Sequence, residues 1–376
     1  MAATKPRNAT KRKSSVRVTK KKQGVTKKQG LVVAAVLALV GVVVVVATRA
    51  AVAPNKVFVV TSDRQATAVA TDGSSQKAFA VVDANVYSPA MIVSRAKTKY
   101  MQTHQDSTRI NVRNITDGKL LSGISPVTLF GGANWLPGDK QAVFMYGSYP
   151  AKSIFKSNVD GTSRVKIASA SSSLSCLNVQ KNSGGSKIAY LVDGEQIWTM
   201  NPDGSGKFRV ENVDVSATSC PIWSPDGKKL TYAERTSGSR TVINQIVINA
   251  NGTGRQVVAK IYDSTAAQND SDMNNNFNSQ VWSNGGSSIL FTKKVNGVQN
   301  LYYVNISTKK VTQVTKHTQP STLVTYYNWG TDNRIVYAYG SHPSDSKAVR
   351  SQNADGSNAK TLFTPPTGTR ITSVSF

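Results

Sequence analysis

The chain has 376 residues, of which 39% are hydrophobic, and a formal net charge of +26 from 46 Lys+Arg and 20 Asp+Glu. This apolar fraction excludes disorder of the whole chain, and the abundance of Gly and Val beside only three Glu favours a turn-rich β protein over a helical bundle. Two Cys and three His exclude a disulfide-rich scaffold and a four-thiolate zinc site.

The first 30 residues carry eleven Lys/Arg and no acid, which is typical of a disordered tail. Residues 31–53 follow with an uncharged run that ends at Thr48. At a rise of about 1.5 Å per residue this run is long enough to cross a bilayer as a helix. The basic residues before it predict a cytoplasmic N-terminus, with everything after the span outside the cytoplasm. A cleaved signal peptide is the alternative, because Ala51-Val52-Ala53 matches the small-residue pattern of cleavage sites, and a buried core segment is a third interpretation.

Residues 54–376 carry a net charge of +14, distributed along the whole segment. The simplest interpretation is a solvated basic surface. Attraction to a polyanionic polymer of the cell envelope or to lipid headgroups is the functional interpretation. Because the basic tail is explained by membrane orientation, the charge predicts no specific nucleic-acid partner.

A repeat of 44 to 59 residues runs through this segment. It is carried by similar motifs at Trp135, Trp223, Trp282 and Trp329, with Tyr87 and Val179 at the corresponding position. We call this position the slot. A turn follows each slot and an apolar segment of β-branched and aromatic residues follows the turn, which predicts a strand.

A second motif, Asn-x-Asp/Asn-Gly-Ser/Thr, occurs once in most units, at 158–162, 201–205, 249–253 and 353–357. Looser copies occur at 71–74, 114–118 and 305–308. Asp-Gly and Asn-Gly supply the positive φ that tight hairpins require. Each unit is therefore predicted to contain, in order, strand A, a turn, strand B, a loop, strand C, a turn and strand D. Four antiparallel strands at this period predict a blade of a β-propeller.

The number of blades follows from the two ends of the repeat. Residues 56–82 contain strands B, C and D of a first blade with no strand A before them, and residues 369–376 form a strand A with nothing after it. Pairing the two segments closes the ring and leaves no exposed edge. We therefore predict an all-β propeller of seven four-stranded blades, with six as the alternative, preceded by one transmembrane helix.

The segments IWSPDGKKLTYAE at 222–234 and QIWTMNPDGSGKFRV at 196–210 resemble the repeats of the TolB-like β-propeller family. The resemblance covers nearly all of residues 57–376. It implies an extracytoplasmic propeller with a role in protein interaction.

The tryptophans and aspartates of the repeat are expected to have structural roles. The slot tryptophans are expected in the core between blades, and the turn aspartates are expected to cap their turns. Cys176 and Cys220 each lie three residues before a slot in consecutive units, so they are neighbours that either form a disulfide or remain free thiols. No cofactor is expected.

The strand order sorts the connections onto two faces. The A–B and C–D turns share one face, which we call the turn face, and the B–C and D–A loops share the other, the loop face. All three histidines map to the loop face, where we expect binding. The candidate binding residues there are Tyr146, Tyr149, Tyr262, His104, His317 and His342. Asp270, Asp272 and Asn274 are weak candidates for Ca²⁺ ligands; a solvated polar loop is the preferred interpretation, because Asn275 and Val281 replace the glycine and the glutamate of a calcium loop.

The sequence therefore predicts a single-pass membrane protein that displays a propeller outside the cytoplasm. It would bind or scaffold other envelope or membrane proteins and would not be an enzyme. Binding of an anionic envelope polymer or polysaccharide is an alternative. The other alternative is a propeller-type hydrolase or the gating domain of a peptidase.

Overall fold

The computed structural model describes residues 56–81, 91–104, 108–126, 132–147, 152–170, 173–180, 187–212, 217–236, 241–264, 280–330, 332–342 and 345–376. These segments belong to one compact unit. The expected tail at 1–30, the expected span at 31–53 and Tyr87 lie outside the described residues. Within the described segments, no helix is long and apolar enough to cross a membrane.

The described chain is built from strands. In chain order they are β1 Lys56–Thr61, β2 Gln65–Ala70, β3 Gln76–Val81, β4 Ile92–Val93, β5 Lys99–Thr103, β6 Ile110–Asn114, β7 Leu120–Ile124, β8 Ala133–Trp135, β9 Gln141–Tyr146, β10 Ser153–Asn158, β11 Val165–Ser169, β12 Leu174–Val179, β13 Ile188–Val192, β14 Gln196–Met200, β15 Phe208–Asn212, β16 Ala217–Thr218, β17 Ile222–Trp223, β18 Lys229–Thr236, β19 Val242–Asn249, β20 Gln256–Asp263, β21 Val281–Trp282, β22 Ser288–Val295, β23 Val298–Asn305, β24 Val311–Gln313, β25 Leu323–Trp329, β26 Ile335–His342, β27 Asp345–Gln352, β28 Lys360–Phe363 and β29 Ile371–Ser375.

The strands form seven antiparallel blades, which confirms the predicted β-propeller. Blade 1 has the order β29-β1-β2-β3, and blade 2 contains β4 to β7. Blades 3, 4 and 6 contain β8 to β11, β12 to β15 and β21 to β24. In blade 5 the inner strand is split into β16 and β17, which both pair with β18. Blade 7 contains β25 to β28 and is joined to blade 1 where β27 pairs with β29.

The ring is closed by the C-terminal strand, as predicted. β29 pairs antiparallel with β1, with Val374 opposite Val59 and Ser375 opposite Phe58. On one side the Ser375 hydroxyl donates to the carbonyl of Met91 at 2.7 Å. On the other side a tyrosine of β25 in blade 7 donates its hydroxyl to the backbone of β29. β29 therefore links three consecutive blades.

The core lies between neighbouring blades. Trp135, Trp223 and Trp282 are buried, which confirms the expectation for these slots. The indole N–H of Trp135 donates to the carbonyl of Ile92 at 2.7 Å, and that of Trp282 to Ile222 at 3.0 Å. Each bond runs from a slot to the inner strand of the preceding blade. The slot residue thus packs the blades against one another around the axis.

The slot of blade 2 is Val93 rather than Tyr87. Val93 pairs with Tyr100, seven residues later, just as Trp135 pairs with Ala142. The turn after Val93 contains no Gly or Pro, and Lys97 adopts the positive φ of 53° there. The sequence lacks the usual turn signal at this point, whereas Ser-Pro after Tyr87 imitates it.

The Asp-Gly turns are capped by their own side chains. Oδ1 of Asp203 accepts the backbone N–H of Ser205 at 2.9 Å and its hydroxyl at 2.6 Å. These hydrogen bonds stabilise the carboxylate and hold the pKa of Asp203 below its usual value. Asn251 makes the same two bonds to Thr253 with an amide oxygen. The turn aspartates therefore have the structural role expected of them.

The turn glycines also permit close contact between blades. A Cβ added to Gly204 would lie 2.5 Å from the carbonyl oxygen of Ile167, in strand D of the preceding blade. In the next blade, a Cβ on Gly252 would lie 2.9 Å from the carbonyl oxygen of Val210. The glycine is thus required both by its positive φ and by the backbone of the neighbouring blade.

Gly204→Ala and Gly138→Ala separate these two requirements. Both glycines have a φ of +85°, but a Cβ on Gly138 would meet nothing within 4 Å. We expect Gly138→Ala to cost about 1–2 kcal/mol for the left-handed conformation alone. Gly204→Ala should cost about 1–3 kcal/mol more, because it also displaces strand D of the preceding blade. Denaturant unfolding measures both values, and equal losses would contradict the close inter-blade contact.

Ile371→Ala tests the closing strand without deleting it. Ile371 is fully buried in β29, so truncation should lower the free energy of unfolding by about 2–5 kcal/mol. Leu120→Ala removes the same number of atoms from a side chain that is 51% exposed in β7, and should change stability by about 0.5 kcal/mol or less. If the two variants unfolded at the same denaturant concentration, β29 would not be part of the closed core.

Candidate functional site

The inner strands surround a cavity of about 520 Å³ on the propeller axis. Its wall includes slot residues and the residues that precede them on strand A, and Ser224, Asn284 and Gly330 of the A–B turns also line it. The cavity therefore lies at the end of the inner strands that belongs to the turn face. Lys56 and Phe376, one residue from each end of the closing strand pair, both line it.

Two asparagines present amide donors to this cavity. Oδ1 of Asn178 accepts the backbone N–H of Trp223 at 3.2 Å, and Oδ1 of Asn328 accepts the N–H of Trp329 at 2.8 Å. A backbone N–H can only donate, so these bonds fix which amide atom is the oxygen. Among the described residues, neither Nδ2 has an acceptor, so both amide groups keep donors for a ligand.

Two lysines add positive charge. Lys56 and Lys97 line the cavity, and Nζ of Lys97 donates to the carbonyl of Lys56 at 3.0 Å. No Asp or Glu belongs to the described lining. Ile222 and Val281 supply apolar surface. The described lining thus combines several hydrogen-bond donors with an apolar wall, a composition that suits a ligand rich in acceptor oxygens.

Hydrogen bonds between the A–B turns hold the cavity in shape. The carboxylate of Asp139 accepts the backbone N–H groups of Arg95 at 3.1 Å and Ala96 at 2.8 Å, from the turn of the preceding blade. Nη2 of Arg95 donates to the carbonyl of Gln180 at 2.5 Å, and Nε2 of Gln180 to that of Gly227 at 3.0 Å. Burial lowers the pKa of Arg95, and Asp139 opposes this effect. Blades 2 to 5 are thereby connected at the rim.

The residues predicted for the loop face do not converge on one site. Tyr262 lies in β20 and is 1% exposed, which corrects its interpretation as an exposed anchor. The alternating strand extends further than its loop-like sequence indicates, so the ring points into the core. Tyr149 and the calcium candidates Asp270, Asp272 and Asn274 lie outside the described residues. Within the described segments, no group of three His, Cys, Asp or Glu could hold a metal ion.

The three histidines occupy different blades. His104 approaches Arg109 in blade 2, with Nε2 and Nη2 2.7 Å apart. His342 ends β26 opposite Asp345 in blade 7. His317 stacks on Tyr339 with ring centroids 5.2 Å apart. Burial, with a contribution from a nearby arginine, lowers the pKa of His317, so its imidazole is a neutral packing group between blades 6 and 7.

Tyr146 is covered by the protein's own arginine. The guanidinium of Arg164 lies 4.7 Å from the ring centroid of Tyr146 and 4.6 Å from that of Phe155. It also lies 5.1 Å from the ring of Phe144. A cation already occupies this aromatic group, so Tyr146 serves the packing of blade 3.

Cys176 and Cys220 form a disulfide with their Cα atoms 5.4 Å apart. Cys176 lies in β12 of blade 4, and Cys220 precedes β17 of blade 5. The two adjacent inner strands thus approach closely enough for a bond. The disulfide ties blades 4 and 5 together beside the axial cavity.

Two of the three glutamates lie together between blades 4 and 5. Arg255 makes an ion pair with the buried Glu234, and its Nε lies 3.6 Å from Oε2 of Glu211. Burial raises the pKa of Glu211, and Arg255 opposes this shift. The hydroxyl of Tyr232 lies 3.5 Å from the same carboxylate. The arginine between the two acids makes this group an inter-blade ion pair rather than a pair of catalytic carboxylates.

The cavity residues were missed by reasoning from the sequence, although the repeat contains a signal for them. Asparagine precedes the slot in three units, at Asn134, Asn178 and Asn328. Nδ2 of Asn134 donates to the carbonyl of Leu177 in the next blade at 2.8 Å. Alignment of the units by their slots would have placed these amides in one layer around the axis.

Comparison with solved structures concerns the fold. Oligogalacturonate lyase from Vibrio parahaemolyticus matches with a TM-score of 0.56 at 10% identity, over 73% of this chain and 79% of the lyase chain. Hydrazine synthase from Kuenenia stuttgartiensis matches with a TM-score of 0.51 at 12% identity, over 81% and 90%. TolB from Acinetobacter baumannii matches with a TM-score of 0.48 at 13% identity, over 68% and 62%.

Neither a family model nor a curated protein matches the sequence. At identities of 10% and 12%, the likeness to the lyase and to hydrazine synthase shows the fold and nothing about activity. The chain is similar in fold to β-propeller proteins.

Proposed function

We propose that this chain is a binding module of the cell envelope, anchored in the cytoplasmic membrane by residues 31–53 and displayed outside it. The observation that carries the proposal is the axial cavity. It is a concave site with hydrogen-bond donors above an apolar wall, held by a closed and cross-linked ring. Such a site binds a ligand without requiring an acid–base pair or a nucleophile.

The disulfide and the N-terminal charge pattern support the location. Disulfides persist in oxidising compartments outside the cytoplasm, and here one joins Cys176 to Cys220. The eleven Lys/Arg before the apolar run favour a cytoplasmic N-terminus. Both features indicate an extracytoplasmic propeller.

Binding of other envelope or membrane proteins on the loop face stays a prediction. Of its proposed residues, His104 and His342 lie in B–C connections, in blades 2 and 7. Blade 1 lies between these two blades in the closed ring. The axial cavity instead brings donors from several blades together, so we assign the primary site to the cavity.

Cysteine labelling in intact cells tests the location. In the full chain, a membrane-impermeant maleimide should add no mass before reduction, because both thiols are bonded. After an impermeant reductant is applied to the same cells, it should add two labels. Cys176→Ser leaves Cys220 without a partner and should add one label without reductant. Labelling that requires cell lysis would place the propeller in the cytoplasm and contradict the proposed location.

A further inference from the structure

We propose that the axial cavity binds the phosphate-bearing headgroup of an anionic phospholipid in the membrane that carries the anchor. This inference rests on the proposed function, from which it takes the membrane anchor. It otherwise rests on the cavity lining, on the position of Lys56 and on the lysines of the turn face.

The lining favours an anion with several acceptor oxygens. Lys56 and Lys97 supply ammonium groups, and Asn178 and Asn328 supply amide donors. Lysine binds phosphate as a point charge, and hydrogen bonds between charged groups and donors are the strong ones. The volume of about 520 Å³ lies within the usual range of small-molecule sites.

The short length of chain between the expected span and Lys56 favours a ligand at the membrane surface. Lys56 is the first residue of β1, and it lines the cavity. The expected span ends at residue 53, three residues earlier, and three residues of extended chain reach at most roughly 11 Å. An anchored chain therefore has only this short linker between the span and Lys56, which favours a ligand from the membrane surface.

Exposed lysines surround the cavity on the turn face. Lys140, Lys187 and Lys228 are exposed and occur in the A–B turns of three successive blades. Basic groups held near a bilayer are attracted to anionic headgroups. Of the acids on this face, Asp139 is buried in its bonds to the neighbouring turn, and the exposed Asp226 and capping aspartates such as Asp203 accept hydrogen bonds within their own turns. The turn face thus favours approach to an anionic surface, while the cavity supplies the specific contacts.

The test uses residues 54–376, because the ring closes within this segment. The domain is sedimented with vesicles of phosphatidylcholine containing phosphatidylglycerol, or of phosphatidylcholine alone. Binding of the free headgroup compound, glycerol phosphate, is followed by tryptophan fluorescence, since Trp223, Trp282 and Trp329 line the cavity. We expect binding to the anionic vesicles and to glycerol phosphate, and none to phosphatidylcholine alone.

Isosteric variants identify the cavity as the site. The double variant Asn178→Asp/Asn328→Asp keeps both oxygens that accept backbone N–H groups, but replaces the amide donors with negative charge. It should weaken vesicle binding at least tenfold and abolish the fluorescence response. Lys56→Gln should weaken vesicle binding and the fluorescence response, whereas Lys56→Arg, which keeps the positive charge, should retain both. Asn251→Asp is the control for an added carboxylate, because it adds one negative charge to an exposed turn where other blades already carry Asp, and each single cavity variant, Asn178→Asp or Asn328→Asp, is compared with it at equal charge. This control should change neither vesicle binding nor the fluorescence response.

Two outcomes would overturn the proposal. Vesicle binding that is unaffected by the cavity variants would show adsorption to the basic surface alone. Binding of glycerol phosphate without vesicle binding would show an anion site that does not recognise membranes. These binding experiments use the isolated domain, so their failure would leave the location measured by cysteine labelling unchanged. Conversely, labelling that placed the propeller in the cytoplasm would not change the affinity measured with vesicles.

Discussion

The pairing of β29 with β1 is the constraint on which the rest of the molecule depends. Seven blades stacked in a row would expose an unpaired strand at one end and would enclose nothing. Because strands from the two ends of the described chain share blade 1, the row becomes a ring, and its inner strands enclose an axial cavity. The same pairing brings Lys56 and Phe376 to the wall of that cavity. Closure and binding site therefore have a common origin.

Around this closure, the blades are held by contacts that repeat with the sequence. Trp135 and Trp282 donate to the preceding inner strand, Gly204 and Gly252 let their C–D turns lie against the preceding strand D, and Asp139 joins two A–B turns. The disulfide adds a covalent link between blades 4 and 5. These contacts join neighbouring blades around the ring, so the inner strands that form the cavity wall are held in place before any ligand binds. A preformed wall reduces the entropic cost of binding.

Much of the fold could be predicted because its signals are local. Asp203 and Gly204 specify a turn through their own hydrogen bonds and φ angle, and they recur at the period of a blade. The slot at Val93 was missed because its turn places Lys97, rather than glycine, at positive φ. The burial of Tyr262 and the cavity amides could not be obtained in this way, since they depend on which distant strands meet around the axis. Local chemistry thus specifies each blade, whereas the site arises from the closed ring.

Hydrogen exchange of the amides in β29 tests this account most directly. If the C-terminal strand closes the ring, the β29 amides that donate to β1 should exchange only upon global unfolding, at the rate of the β12 amides that donate to β13. Exchange of β29 at the rate expected for a frayed terminus, while β12 stays protected, would show that the ring opens without unfolding. The closed cavity, and the site we assign to it, would then be wrong.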